Sequence, residues 1–449
     1  MAEELKFPDN FKWVESKLLC FQRVLQKIVP IFWTTKPRAF AGTAKECLNF
    51  PKDFFWGSST SSYQVEGGIE NNDWAQAACA GRVPVAGQAC DSYNRYKEDF
   101  DIAKSLGQNA HRFSIEWARI EPEEGRFDEG AIEHYRKVLR ALRDRGIEPM
   151  VTLWHFTNPI WFSKKGGWVS SRSPEYFTRY VKYVVAHLKD GVGLWITFNE
   201  AASVWAGFSY LNGQWPPQHK NLFEYQRVRK NFIKAHTLAY QEIKKIYDVP
   251  RPIQNPTLGM SHNVEVGLVE SNVFSAQGDY WYEKIIGKIY NYQRNLYFWD
   301  KTFPYYDFIG LNYYHVDRRV PGNYRILPRQ GWMPEMNWET YPKGIYHRLM
   351  ELKKFKKPIY ITENGVADGT DKLRAKFIKD HLRWVWQAIH DGADVRGYFY
   401  WSLLDNFEWA KGFEPRFGLV EIDYDSMERR IRPSAYEYKK ICESNSLRS

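Results

Sequence analysis

Residues 173–200 read SPEYFTRYVKYVVAHLKDGVGLWITFNE, and two hydrophobic periods meet in that stretch. Over 174–190 apolar residues recur at helical spacing, and over Leu194–Asn199 an apolar, aromatic run has the length of a buried strand. The unit ends on a carboxylate, Glu200. Working outward, the same alternation continues in both directions. Candidate strands fall at Phe54–Ser59, His111–Ile115, Pro149–Trp154, Leu194–Asn199, Thr257–His262, Asp307–Tyr313, Pro358–Glu363 and Gly397–Leu403. Amphipathic stretches near 93–106, 130–145, 174–190, 222–247, 277–289, 342–354 and 371–390 separate them, with a last helix at about 433–443. Eight strand–helix units predict an α/β fold, a closed (β/α)8 TIM barrel with enlarged βα loops. An open doubly wound sheet is the competing architecture, but no G-x-G-x-x-G follows the first strand. No Gly/Ser-rich linker divides the chain. Residues 50–449 therefore read as one barrel and residues 1–49 as an N-terminal extension.

Composition narrows the class. With 449 residues, 44% hydrophobic and 26% charged, the chain is neither a disordered polymer, a fibrous repeat nor a small disulfide scaffold. The net charge of +10, from 63 basic against 53 acidic residues, is spread along the chain with acids interleaved. That pattern is a solvated surface rather than a nucleic-acid footprint. The five cysteines form no C-x-x-C, and H-E-x-x-H and phosphate-loop motifs are missing, so no metal and no cofactor are implied. Aromatic residues make up 17%, enough to bury large area or to stack on ring-shaped ligands.

No run approaches the ~20 apolar residues of a spanning helix. The start, MAEELKFPDNFKW, lacks the apolar core of a signal peptide, and Pro256 blocks the N-x-[ST] match at Asn255, so a cytoplasmic protein is expected. Val14, Leu18, Phe21, Leu25 and Ile28 recur at spacings of four and three, with Lys17, Arg23 and Lys27 alongside. This predicts an amphipathic helix over 14–29. Docking on the main domain is the preferred reading, and a membrane surface or partner helix is the alternative.

In such barrels chemistry sits at the C-terminal mouth. The residues just past each strand are Gln64 and Glu66 after the first, Arg112 on the second, His155 at the third and Asn199-Glu200 at the fourth. Asn312 and Tyr313 end the sixth, Glu363-Asn364 the seventh and Trp401 the eighth, with Glu408 and Trp409 beyond. One strand-end glutamate is ordinarily a salt bridge or a helix cap. Two, on the fourth and seventh strands of one barrel and each beside an Asn, are the equipment for glycoside hydrolysis. Like charges at close range push one pKa up and make that residue the acid. Arg112, the lone strand-end arginine, is placed to hold its neighbouring carboxylate ionised.

Thr197-Phe-Asn-Glu200 and Ile361-Thr-Glu-Asn-Gly365 resemble the two catalytic signatures of glycoside hydrolase family 1, the β-glucosidase and β-galactosidase family. Phe50-Pro-Lys-Asp-Phe-Phe-Trp-Gly57 with Tyr63-Gln-Val-Glu-Gly67 is similar to its opening, and His111-Arg-Phe-Ser-Ile-Glu-Trp117 to its second strand. Trp401-Ser-Leu-Leu-Asp-Asn-Phe-Glu-Trp409 followed by Arg416-Phe-Gly418 is similar to its closing block. The motifs occur in family order over about residues 50–440.

The resemblance implies a retaining enzyme with Glu363 as nucleophile and Glu200 as acid/base. Retention predicts carboxyl groups about 5–5.5 Å apart, against about 6.5–9.5 Å for inversion. Tyr313 and Arg112 would orient Glu363, while Gln64, His155, Asn199, Asn312 and Glu408 would serve the innermost sugar. Trp401 would floor that subsite, Trp409 and Phe417 would border it, and Trp338 would flank the leaving group. Each has a plainer alternative: Gln64 a turn residue, His155 a satisfied core histidine, the tryptophans ordinary core. Glu408 disfavours a 6-phospho-sugar, and Glu200, where thioglucosidase relatives have Gln, points to an O-glycoside. The expected partner is a small-molecule or oligosaccharide β-glycoside. Two other functions stand beside this one: a non-catalytic sugar-binding barrel, and a membrane-associated glycolipid glycosidase using residues 14–29.

Four features depart from the pattern. Ala201 stands where a Pro is usual, and Trp154-His-Phe-Thr-Asn-Pro159 replaces the usual Tyr-His-Trp-Asp-Leu-Pro. The stretch 263–303 is thin in family landmarks, and residues 1–49 precede the family opening, which Phe7-Pro-Asp-Asn-Phe-Lys-Trp13 faintly echoes.

Overall fold

Eight parallel strands close on themselves in a computed structural model that describes residues 47–248, 264–275, 278–321 and 326–448, all within the unit Lys45–Ser449. The strands are β1 (Phe55–Ser59), β2 (Ala110–Ser114), β3 (Glu148–Thr152), β4 (Leu194–Asn199), β5 (Glu265–Ser275), β6 (Phe308–Asp317), β7 (Ile359–Asn364) and β8 (Val395–Trp401). β8 pairs back to β1, with Phe55 opposite Gly397 and Ser59 opposite Trp401. The principal outer helices are α1 (Ser92–Ser105), α2 (Glu129–Asp144), α3 (Ser173–Leu188), α4 (Leu222–Tyr247), α5 (Trp281–Asn291), α6 (Pro342–Leu352), α7 (Arg374–His390) and α8 (Pro433–Ser444). This is the (β/α)8 barrel that the alternation predicts.

The fifth strand is displaced from its expected place. The expected run Thr257–His262 lies outside the described residues, and the strand that pairs with β4 and β6 is Glu265–Ser275. The amphipathic stretch 14–29 also lies outside the described residues. Among the described residues no helix is long and apolar enough to cross a membrane.

Inside the barrel, Ala110, Met150, Leu194, Ile196, Val269, Phe308, Tyr360 and Phe399 form one buried cluster, with Phe55 packed against it. Every strand thus sends apolar side chains inward, each large one worth about 2 kcal/mol of burial. Period two carries the inward face from Ala110 to Arg112 and from Met150 to Thr152, so the plug gives way to polar groups at the mouth. Bulges break strict alternation on several strands. The register shifts on β4 between Ile196 and Asn199 and on β7 between Ile361 and Asn364. Phe198 accordingly packs outside with Phe177 and Phe232, while Asn199 turns into the mouth.

Candidate active site

Glu363 sits near the end of β7, and two side chains hold its carboxylate. Arg112 from β2 forms an ion pair with Oε1 at 2.5 Å, and the Tyr314 hydroxyl from β6 donates to Oε2 at 2.6 Å. Both groups donate to the carboxylate and fix its orientation. Arg112 is itself fixed: Nε donates to Thr152 Oγ1 (3.2 Å) and Nη2 to Asn199 Oδ1 (2.7 Å).

Glu200 follows β4 with φ of 47°, the left-handed region that costs a side-chain-bearing residue roughly 1–2 kcal/mol. Its Oε1 accepts from Asn312 Nδ2 at 2.7 Å, and the same nitrogen lies 3.1 Å from Asn199 Oδ1. Burial, and after it the charge of Glu363, push its pKa up to about 8. The two carboxyls therefore share one electrostatic environment but occupy unlike ones locally. One faces a guanidinium and a phenol; the other is desolvated and meets a neutral amide. Exposures of 4% for Glu363 and 7% for Glu200 leave each a small opening.

Around them, Asn199 Nδ2 donates to His155 Nε2 at 3.1 Å, which leaves the proton on Nδ1, a buried nitrogen without a hydrogen-bond partner. Burial and the Arg112 charge hold this histidine neutral. The Trp401 and Trp409 rings each stack near His155, at centroid distances of 6.1 and 6.2 Å. Glu408 Oε2 is buried and unpartnered, and burial with the charge of Glu363 raises its pKa to about 8. An unsatisfied ring donor and an unsatisfied carboxylate oxygen in one aromatic-walled cavity suit the hydroxyls of a sugar. Trp338 is half-buried against Tyr314 and Phe417, in a cluster with Trp401.

Three sequence expectations change here. Tyr313 does not reach Glu363: its hydroxyl donates to Tyr341 O at 2.7 Å, and Tyr314 makes the contact instead. Asn312 faces inward, so the side chain two residues on shares its face and the one between does not. Glu66 leaves the mouth for an ion pair with Arg119 (2.9 Å) and a hydrogen bond from Tyr135 (2.8 Å). Gln64 spends both Nε2 donors within the wall, on Asn406 Oδ1 (3.0 Å) and Phe407 O (2.8 Å), tying the β1 loop to the segment that carries Glu408. Phe156, which stands where the usual run has Trp, packs on Trp409 and Trp215.

The model for glycosyl hydrolase family 1 matches residues 47–274 and 304–447. The chain belongs to glycosyl hydrolase family 1. The unmatched gap falls within the stretch already thin in landmarks, and the match begins just before Phe50. Beta-glucosidase A of Thermotoga maritima is 32% identical over 445 residues, covering 89% of this chain and 98% of that protein. A beta-galactosidase of Pyrococcus woesei is 29% identical over 89% of this chain and 98% of its own length. Among solved structures, a beta-glycosidase from Pyrococcus horikoshii superposes with a TM-score of 0.82 at 37% identity, covering 90% and 97% of the two chains. The Thermotoga maritima beta-glucosidase in complex with glucoimidazole reaches 0.80 at 29% identity, covering 88% and 99%. This family 1 member is a glycoside hydrolase of the β-glucosidase and β-galactosidase group.

Proposed function

We propose that the protein is a retaining β-glycosidase that removes terminal non-reducing β-D-glucosyl residues, with galactosyl and fucosyl residues as secondary substrates, from O-glycosides. The observation that carries this reading is the unequal treatment of the two carboxyls. In the first step Glu363 attacks the anomeric carbon while the glycosidic oxygen departs with the proton of Glu200, leaving a glycosyl ester. In the second, water attacks that carbon, Glu200 takes the water's proton, and the ester oxygen returns to Glu363 as carboxylate. Two inversions give net retention. Arg112 and Tyr314 hold and orient the Glu363 carboxylate, and burial beside Glu363 keeps Glu200 protonated near neutral pH. Asn199, Asn312, His155, Trp401, Trp409 and Phe417 are assigned to the innermost sugar and Trp338 to the leaving group. Glu408, protonated or ionised, offers a 6-phosphate no positive charge, which favours an unphosphorylated sugar over the 6-phospho-β-galactoside of a Staphylococcus aureus relative at 30% identity.

The test is Glu363→Ala assayed with an aryl β-glucoside. Turnover falls at least about 10⁴-fold, and azide restores it by occupying the vacated carboxylate site. Unchanged turnover in that variant overturns the assignment. Parallel aryl galactosides and fucosides on the parent enzyme rank the sugars.

A further inference from the structure

Val269 on β5 faces the barrel core, and the next residue, Glu270, turns the other way, into the layer between strands and helices, where it is 2% exposed. A carboxylate buried there is costly unless hydrogen-bonded. Glu270 meets that condition through two backbone amides and the Ser203 hydroxyl: Ala202 N–H donates to Oε1 (3.1 Å) and Ser203 N–H to Oε2 (2.7 Å). Those amides belong to the turn Ala201–Trp205, which starts directly after Glu200. The opening amides of a helical turn have no partner within the helix. A cap residue ordinarily supplies one from its own side chain. Here the cap position is Glu200, whose side chain makes no cap hydrogen bond and is engaged with Asn312 in the mouth. The neighbouring strand caps the turn instead. Two more bonds lock the same junction: Glu200 N–H to Val269 O (2.8 Å) and Ser271 N–H to Ser203 Oγ (3.1 Å).

We propose that Glu270 is a positioning residue for the proton donor: by capping the turn Ala201–Trp205 from β5, it holds Glu200 in its left-handed backbone conformation with its carboxyl aimed at the leaving-group oxygen. This rests on the assignment of Glu200 as acid/base. A negative charge at the start of the turn is also favourable to the helix dipole. The charge acts on Glu200 as well. Burial and Glu363 raise the proton donor's pKa most, Glu270 adds to them, and Asn312 and Arg294 oppose. The other groups near Glu200 are the Tyr314 hydroxyl on β6, Arg112, which engages Asn199 and Glu363, and the neutral His155. Glu270 itself is pushed up to about 7 by burial, against the bonds from the Ser203 hydroxyl and the two amides and the charge of Arg294.

The experiment compares kcat/KM of the full-length parent, Glu270→Gln and Glu270→Asp on 2,4-dinitrophenyl, p-nitrophenyl and phenyl β-glucosides. An acidic phenol leaves without protonation; phenol itself needs the donor. A misplaced donor therefore lowers phenyl glucoside cleavage by about tenfold or more and dinitrophenyl glucoside cleavage by less than about twofold. The ratio is taken on one preparation, so any unfolded fraction cancels. Glu270→Asp keeps the charge and withdraws the oxygens, giving a selective loss in the same direction should Glu270→Gln not fold. In Glu270→Gln the basic limb of the kcat/KM profile also moves to lower pH, because losing a negative neighbour makes Glu200 easier to ionise. A uniform loss across the three substrates, or none, overturns the proposal. Glu200→Gln on the same series separates the two claims. Leaving-group dependence there without any in the Glu270 variants refutes only the positioning role. Its absence from Glu200→Gln refutes the acid/base assignment on which that role rests.

Discussion

One residue of chain separates a side chain that steadies the nucleophile from one that braces a helix. Tyr314 donates to Glu363 Oε2, while Tyr313, on the opposite face of β6, donates to Tyr341 O. A phenol hydrogen bond to the nucleophile sets its orientation. Tyr314→Phe should lower kcat for an aryl glucoside by about 10–100-fold. Tyr313→Phe should leave kcat within about twofold and cost roughly 1 kcal/mol in denaturant unfolding. Reversed outcomes would return Tyr313 to the site. Glu200, Glu363 and Arg112 were legible because strand ends and motif order place them. The choice between the two tyrosines depended on which way Asn312 faces, and strand parity is set by pairing partners.

The elements explain one further difference between reading and structure, and one close approach that the sequence reading does not address. β5 includes Glu270, Ser271 and Asn272, which disguise it as a loop in the sequence. Tertiary partners engage them: Glu270 takes the amides of residues 202 and 203, and Asn272 Nδ2 donates to Asn295 O at 3.0 Å. A polar strand is stable only where such partners exist, so hydrophobic pattern alone moves the strand elsewhere. The second case is the seat of α6 on β6. A Cβ on Gly344 would lie 1.8 Å from the Tyr313 hydroxyl, so the helix approaches that ring only because position 344 carries no side chain. Gly344→Ala is expected to push α6 outward and cost about 1–3 kcal/mol of stability, read as a lower midpoint in chemical denaturation. A midpoint equal to that of the parent would show that the seat is soft.

At the scale of the molecule, both ends of the described chain meet beneath the barrel wall. Leu48–Asn49 pairs antiparallel with Ser446–Leu447, and Asn445 bridges the start of the barrel. Its Oδ1 accepts from Trp56 Nε1 (2.9 Å), and its Nδ2 donates to Phe50 O and Pro51 O (3.1 and 2.9 Å). Asn445 also has φ of 48°, which Asn tolerates better than Ala. Asn445→Ala should therefore lower Tm, by about 2 kcal/mol in unfolding free energy, while kcat/KM at 25 °C stays within about twofold. An unshifted Tm would mean that closure does not depend on this clasp. The sequence by itself determined the barrel and the two glutamates at its mouth, because hydrophobic period and strand-end position are local properties of the chain. Only the tertiary structure decided which tyrosine meets Glu363, where the fifth strand lies, and that Gln64 and Glu66 bind the wall. Each of those depends on strand parity or on the partner of a buried polar group, and both are created when distant segments pack together.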